Sequence, residues 1–124
     1  MCIRDRLKDN HNDFAGGIEN SINKTVQYLK DNYLNLKIEI ETRNIEEVKE
    51  VLKVGNIDRI MLDNFNYEDM RKAVKLINNQ YETEASGGIN LETVRKYAEC
   101  GVDFVSVGAL THSVSNMDLS LKAI

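Results

Sequence analysis

The stretch YETEASGGINLETVRKYAECGVDFVSVG, residues 81–108, decides the fold. It opens with a predicted strand that ends in Ser86-Gly87-Gly88, and it closes with a second strand that ends at Gly108. Between them a helix is predicted after the capping residue Asn90. Its buried stripe is predicted from apolar side chains at helical spacing: Leu91, Val94, Tyr97 and Ala98. A strand, a helix and a strand of these lengths predict two parallel strands joined by a right-handed crossover.

Two similar strand–helix units precede this stretch. Residues 36–42 alternate apolar and polar side chains, which is typical of a strand, and Asn44 caps the helix that follows. Residues 59–62 form a short apolar strand, and a second helix is predicted over residues 66–79. A longer helix over residues 15–33 comes before both units. The chain therefore alternates strands and helices throughout, as in a parallel α/β fold.

The predicted strands end at regular intervals. Successive ends, at Glu41, Asp63, Ser86 and Gly108, are 22, 23 and 22 residues apart. Units of this size build either a doubly wound sheet or part of a (β/α)8 barrel, and both folds bind ligands at the carboxyl ends of their strands. The chain has 124 residues, about half of the ~250 that a complete barrel uses.

Composition excludes several classes of function. With 16 Lys and Arg against 20 Asp and Glu, the net charge of −4 gives no basic surface for a nucleic acid or a membrane. No apolar run approaches the ~20 residues that span a bilayer. The hydrophobic content of 42% suits a packed core. The two cysteines form no disulfide or metal-binding pattern, so we expect a cytoplasmic location.

Polar residues gather at the four strand ends. Parallel topology places Glu41, Asp63, the Ser86-Gly87-Gly88 turn and Gly108 side by side on one edge of the sheet. Glycine turns leave backbone N–H groups available, and the double-glycine turn is predicted to lie just before a helix N-terminus, which favours a phosphate. The two carboxylates suit Mg²⁺ or ribose hydroxyls. These residues predict a site for a phosphorylated sugar above an acidic floor.

Each of these residues also has a plainer explanation. Asp63-Asn64 fits equally well an Asx turn that caps the next helix. By itself, Ser86-Gly87-Gly88 is more often a turn than a phosphate site, and Glu41 at a strand end fits a solvated residue. Lys8 and His112 fit surface positions. Their shared edge favours a functional site but does not identify a reaction.

Five further blocks of sequence stand out: Lys8 to His11, Ile38 to Glu41, Met61 to Asn64, Glu84 to Ile89, and Gly101 to Ser113. In their order and spacing these blocks together resemble one family, quinolinate phosphoribosyltransferase, also called nicotinate-nucleotide pyrophosphorylase. The resemblance covers residues 7–124 and corresponds to the carboxyl-terminal part of the family. It fails at residues 1–6, where the family has an apolar strand and where this sequence resembles a translated sequencing adapter. We therefore predict that residues 1–6 are not native and that residues 7–124 form a partial barrel domain.

The resemblance implies a fold and a reaction. The implied fold is the carboxyl-terminal portion of an incomplete, TIM-like (β/α) barrel with parallel strands, without the family's amino-terminal domain and early barrel strands. Family members form homodimers and, with Mg²⁺, convert quinolinate and phosphoribosyl pyrophosphate to nicotinate mononucleotide, pyrophosphate and CO₂ in de novo NAD biosynthesis. The family's quinolinate-binding arginines have no match in this segment, so we expect the chain to be inactive by itself.

The resemblance also implies roles for individual residues. Lys8, Glu41 and Asp63 match the catalytic positions, and Glu41 and Asp63 are also the implied Mg²⁺ ligands, directly or through water. The implied substrate and phosphate contacts are Lys8, Ser86, Gly87, Gly88, Gly108 and His112. Two alternatives remain: a paralogue of the same fold associated with molybdenum transport, and a non-catalytic half-barrel that binds a phosphorylated sugar.

Overall fold

The computed structural model describes residues 4–8, 12, 13 and 15–108. Five strands are present in this part of the chain: β1 (Arg4–Leu7), β2 (Lys37–Thr42), β3 (Arg59–Asp63), β4 (Glu82–Ser86) and β5 (Phe104–Val105). Four helices alternate with them: α1 (Ile18–Asp31), α2 (Ile45–Val54), α3 (Tyr67–Ile77) and α4 (Val94–Ala98). In these residues no helix combines the length and the apolar character needed to cross a bilayer.

The strands form one parallel sheet in the order β1-β2-β3-β4-β5. Each strand pairs with the next one in the chain, so all carboxyl ends lie on the same edge of the sheet. In register, Leu7 lies beside Ile40, and Asp63 lies beside Ser86. This topology confirms the predicted alternation of strands and helices around a parallel sheet.

The two faces of the sheet differ in polarity. The face covered by helices is apolar, and Ile40, Ile60, Leu62 and Ala85 are fully buried there. The opposite face carries charged residues at alternate positions of the strands, such as Glu39 in β2 and Arg59 in β3. Successive side chains of a strand point to opposite faces, so an apolar–charged alternation divides the sheet in this way.

Side-chain caps fix the helices that follow β2 and β3. Asn44 accepts a hydrogen bond from the backbone N–H of Glu47 (2.9 Å), which confirms the predicted cap of α2. Asn66 accepts one from Asp69 N–H (2.9 Å) at the start of α3. These caps satisfy backbone donors that have no partner within the first helical turn.

The last strand–helix unit is less regular than the sequence predicts. The side chain of Asn90 accepts hydrogen bonds from the N–H groups of Glu92 and Thr93, and this holds a turn ahead of the helix. The helix itself covers only Val94–Ala98. The predicted buried stripe is therefore wrong at Leu91, which is 73% exposed, and at Ala98, which is also exposed.

Part of the suspected non-native segment lies in a strand. Residues 4–7 form β1 at the edge of the sheet, in parallel register with β2. A backbone ladder of this kind accepts almost any side chain at an edge position. The suggestion that residues 1–6 are adapter-derived concerns their origin, and it stays a prediction.

Candidate functional site at the carboxyl ends of the strands

The structure brings most of the predicted site residues to one edge of the sheet. Asp63 and Ser86 end β3 and β4 and are register partners. Lys8 and Glu41 each lie one position beyond the Leu7–Ile40 pair, so they are level with each other on neighbouring strands. The glycines of the site follow β4 and β5: Gly87, Gly88 and Gly108. We call this edge the rim; His112 lies outside the described residues.

The rim residues differ in exposure. Glu41, Asp63 and Ser86 are half-buried, whereas Lys8 and Gly108 are exposed. The two carboxylates are partly buried because Glu41 and Asp63 lie in the last residues of β2 and β3, next to buried residues of the same strands. The rim side chains are therefore accessible to solvent while their backbones belong to the sheet, which suits a site for a small polar ligand.

Asp63 is held by its neighbour in the chain. The side-chain amide of Asn64 donates a hydrogen bond from Nδ2 to Asp63 Oδ2 (2.7 Å), and the backbone N–H of Asn64 donates to the carbonyl oxygen of Ser86 (2.9 Å). The plainer explanation, that Asp63-Asn64 caps the next helix, does not describe this geometry, because Asn66 occupies the capping position of α3.

The turn after β4 has a backbone that only glycine adopts easily. Gly87 has φ +91° and Gly88 has φ +63°, in the left-handed region. A Cβ on Gly87 would lie 2.4 Å from Oδ1 of Asn64, so the turn closes directly over that residue. The predicted helix N-terminus is not there, since α4 begins at Val94. A phosphate at this turn would therefore be bound by the turn's own backbone N–H groups and the Ser86 hydroxyl group, without a helix N-terminus.

A layer of buried charges lies beneath the rim, on the same face of the sheet. Arg59, 3% exposed, donates from Nη1 to Glu84 Oε2 (2.9 Å) and from Nη2 to Glu82 Oε2 (2.7 Å). Arg6 donates from Nε to Glu39 Oε2 (2.9 Å). Buried carboxylates need such partners, because an unpaired charge in this environment costs several kcal/mol.

Two carboxyl groups in this layer have opposite pKa shifts. Burial raises the pKa of Glu39, and the neighbouring Glu84 carboxylate raises it further. Burial acts in the same direction on Glu84, but hydrogen bonds from Glu39, Ser106 and Arg59 hold the pKa of Glu84 below its usual value. Within the described residues, Glu39 Oε1 is a buried oxygen without a hydrogen-bond partner when the carboxyl group is ionised. Protonated Glu39 is the donor that Glu84 can accept from, so Glu39 takes up a proton first.

Sequence reasoning missed two parts of this arrangement. One is the buried layer, although charged residues at alternate positions of β2 and β4 (Glu39 with Glu41, and Glu82 with Glu84) signalled a polar face. The other is the bridging position of Asn64, for which an Asn next to a strand-end Asp gave only a weak signal.

Two cavities are lined by residues other than those of the rim. One of about 410 Å³ is at the amino ends of the strands and is bounded in part by Lys37, Asp58, Asn79 and Asp103. Another of about 330 Å³ lies beside the start of α1 and includes Asn12 and Arg43. In the first, both aspartates already accept hydrogen bonds from strand backbones. In a parallel α/β sheet the carboxyl edge is the expected ligand side, so the rim is the stronger candidate.

The rim can hold a hard cation only with help from a ligand. Among the residues that the structure describes, no group of three or more His, Cys, Asp or Glu side chains is arranged for a metal ion. Glu41 and Asp63 provide two carboxylates on neighbouring strands. Mg²⁺ is commonly held by one or two carboxylates together with water and substrate phosphates, so this pair fits that mode of binding.

Comparison with known proteins identifies relatives over almost the whole chain. Residues 5–122 match the family model described as quinolinate phosphoribosyl transferase, C-terminal domain. The chain is 47% identical to a nicotinate-nucleotide pyrophosphorylase (carboxylating), chloroplastic, of Arabidopsis thaliana, over 94% of this chain and 37% of that protein.

Solved structures show the same relationship. A nicotinate-nucleotide pyrophosphorylase from Ehrlichia chaffeensis is 38% identical, with a TM-score of 0.76 over 91% of this chain and 39% of that one. The enzyme of the same name from Francisella tularensis is 33% identical, with a TM-score of 0.80 over 90% of this chain and 38% of that one. The chain thus spans little more than a third of these relatives, and the likeness confirms the predicted partial α/β barrel.

Proposed function

The chain belongs to the quinolinate phosphoribosyltransferase family, and we propose that its rim is where a full-length enzyme binds phosphoribosyl pyrophosphate. In that enzyme the ribose 5-phosphate group passes to the ring nitrogen of quinolinate. Pyrophosphate and CO₂ leave, and nicotinate mononucleotide is the product, on the de novo route to NAD. The observation that carries the proposal is the shared edge of two carboxylates and a double-glycine turn, with Asp63 beside Ser86 in register.

The carboxylates supply the electrostatic part of the reaction. Breaking the bond between C1 of the ribose and pyrophosphate builds positive charge on the sugar ring. Glu41 and Asp63 stabilise that charge more in the transition state than in the ground state, which is the condition for acceleration. The ring nitrogen of quinolinate is already a free nucleophile, so its attack needs no general base.

The remaining rim residues hold phosphates and position the substrates. Ser86, Gly87 and Gly88 offer a hydroxyl group and backbone N–H groups around the 5-phosphate, with Gly108 beside them and His112 further along the chain. Lys8, level with Glu41, contributes a cation for the anionic substrates. Holding both reactants in line provides the proximity part of catalysis.

Mg²⁺ completes this proposal. Glu41 and Asp63 would hold the ion directly or through water, together with oxygens of phosphoribosyl pyrophosphate. An ion held there would supply positive charge to offset the negative charge of the leaving pyrophosphate.

The full activity depends on more than this segment. The chain covers 37% of its Arabidopsis relative, and the arginines with which the family binds the dicarboxylate quinolinate have no match in this segment. We propose that the enzyme is a homodimer, that it acts in the cytoplasm and that the 124-residue chain is inactive by itself. The relative from Arabidopsis is named as chloroplastic, so location differs within the family.

The direct test is an assay of a full-length protein that carries residues 7–124. Incubation with quinolinate, phosphoribosyl pyrophosphate and Mg²⁺ should yield nicotinate mononucleotide, and the chain alone should not. Failure of the full-length protein would favour the molybdenum-associated paralogue. Phosphoribosyl pyrophosphate binding without any turnover would instead favour the non-catalytic half-barrel. Product formation by the isolated chain would refute the expected inactivity.

A further inference from the structure

Asn64 connects the two chemical parts of the rim. Its backbone N–H donates to the carbonyl oxygen of Ser86 (2.9 Å), which ties the end of β3 to the end of β4. Its side-chain Nδ2 donates to Asp63 Oδ2 (2.7 Å), which fixes one oxygen of that carboxylate. A single residue therefore contacts both the acidic group and the strand that leads into the glycine turn.

The backbone of Asn64 is unusual for a residue with a side chain. Its φ of +55° lies in the left-handed region, where asparagine is tolerated better than most residues and glycine best of all. Capping of the next helix does not explain the asparagine, because Asn66 performs that function. In this left-handed conformation Asn64 makes two hydrogen bonds, one from its backbone N–H to Ser86 in β4 and one from its side chain to Asp63.

The glycine turn is shaped around Asn64. A Cβ added to Gly87 would lie 2.4 Å from Asn64 Oδ1 and 2.7 Å from its backbone nitrogen. Real Cβ atoms do not approach other atoms so closely, so the turn requires a glycine at this position for close approach as well as for its φ of +91°. The turn and the Asp63 carboxylate therefore both contact the same residue, the turn through its close approach and the carboxylate through the side-chain amide.

We infer that Asn64 is a positioning residue that sets the Asp63 carboxylate at a fixed place relative to the Ser86–Gly88 turn, so that both ends of one phosphoribosyl pyrophosphate are bound together. The inference rests on the proposed function. In that proposal Asp63 would contact the ribose and hold its ion, the turn would contact the 5-phosphate, and Asn64 would act through Asp63 and the turn without contacting the ligand. Loss of the amide should therefore weaken a ligand that spans both parts more than a ligand that needs the turn alone.

The test uses a pair of matched substitutions in this chain. Asn64→Gly keeps the left-handed backbone and removes the amide. Asn79→Gly is the control, because Asn79 is exposed, has φ +60° and lies at the opposite end of the sheet. Binding is measured by calorimetry for phosphoribosyl pyrophosphate with Mg²⁺ and, separately, for inorganic phosphate.

We expect Asn64→Gly to weaken phosphoribosyl pyrophosphate by about 10-fold, the effect of losing one hydrogen bond to a charged group. The phosphate affinity of Asn64→Gly should stay within about 3-fold of the phosphate affinity of Asn79→Gly. A difference of that size is smaller than the effect of losing one hydrogen bond to a charged group. Equal losses for both ligands, or affinities equal to those of the control, would overturn the inference.

A second readout tests the contact without any ligand. The side-chain amide signal of Asn64 in an NMR spectrum should move when Asp63→Asn removes its charged acceptor, whereas the Asn79 signal should not. An unmoved Asn64 signal would contradict the contact. If the unmodified chain binds neither ligand, the proposed function fails, and the amide signal then decides the positioning contact by itself.

Discussion

The two ends of the sheet use the same residue type in different ways. At the amino end, Asp58 accepts a hydrogen bond from the backbone N–H of Ile38 (2.7 Å), and Asp103 accepts one from Thr83 N–H (2.8 Å). At the carboxyl end, Asp63 accepts a hydrogen bond from the side-chain amide of Asn64, a residue with a left-handed backbone. Aspartates at the amino end thus lock neighbouring strands together, whereas the rim carboxylate is oriented by a neighbouring side chain.

This difference shows that residue type alone does not mark a site. Asp58 and Asp103 border a cavity, yet their carboxylates serve the sheet. Asp63 and Glu41 stand where parallel strands present their carboxyl ends, and the buried charge layer under them keeps that edge in place. Stability should therefore respond to changes at the amino end and in the layer, and activity should respond to changes at the rim.

The largest effect on stability is expected from the layer between the two ends. Arg59→Met would remove the nearer of the two cations beside buried Glu84 (2.9 Å, against 4.0 Å for Arg6), so the free energy of unfolding should fall by about 3 kcal/mol. Urea unfolding measures this directly. Arg95→Met is the control: Arg95 is exposed and forms an ion pair with Glu99, which is exposed as well, so a change below about 0.5 kcal/mol is expected there. Similar values for both variants would show that the layer does not hold the sheet together.

Substitution at the rim should affect turnover instead. In a full-length protein that carries this segment, Asp63→Asn and Glu41→Gln should each lower kcat by about 10²-fold, because the stabilisation of the cationic transition state is lost. The KM for quinolinate should change little. Steady-state kinetics give both values, with Asp58→Asn as the amino-end control. A collapse of quinolinate affinity with kcat preserved at saturation would mean that the assigned roles are wrong.

The amino end should show the reverse pattern. Asp103→Ala removes the acceptor for both the backbone N–H and the hydroxyl group of Thr83, so unfolding should become easier by about 2 kcal/mol. Asp103→Asn keeps an acceptor oxygen and should lose less than half of that. Thermal and urea unfolding report the change. The expected separation of roles between the two ends of the sheet would be wrong if Asp103→Ala reduced the binding free energy of phosphoribosyl pyrophosphate more than the free energy of unfolding.

The smallest effect concerns pH. Because the folded pKa of Glu39 is raised, its contribution to stability is present below pH 4.5 and is lost as pH rises through the folded pKa. Glu39→Gln removes this loss, so the stability of the variant relative to the unmodified chain should increase as the pH rises from 4 to 7. Urea unfolding at a series of pH values measures the gain. If the relative stability of Glu39→Gln increased as the pH falls, the raised pKa assigned to Glu39 would be wrong.

Much of the framework could be predicted from sequence because its signals are local. Asn44 and the alternation of residues 36–42 predict an element from neighbouring residues alone, and both predictions are confirmed. The turn held by Asn90 also depends on neighbouring residues, but the same residues fit the pattern of a helix start, and the sequence therefore predicts a helix where the structure has a turn. Leu91 was misplaced for that reason.

The site was harder to predict because its contacts join distant residues. Asn64 meets Ser86 across the β3–β4 pair, and Arg59 meets Glu84 through the same register. Neither contact can be predicted before the register between β3 and β4 is known. The rim residues were found through topology and family resemblance, and the substrate roles assigned to Lys8, Glu41, Asp63 and the glycine turns remain predictions.

The most direct test of the rim as a ligand site is an NMR titration of the isotope-labelled chain with phosphoribosyl pyrophosphate and Mg²⁺. The account predicts that backbone signals of Glu41, Asp63 and residues 86–88 shift with a common affinity, while those of Asp58 and Asp103 stay in place. Shifts confined to the amino end, or no saturable shift at the rim, would contradict it.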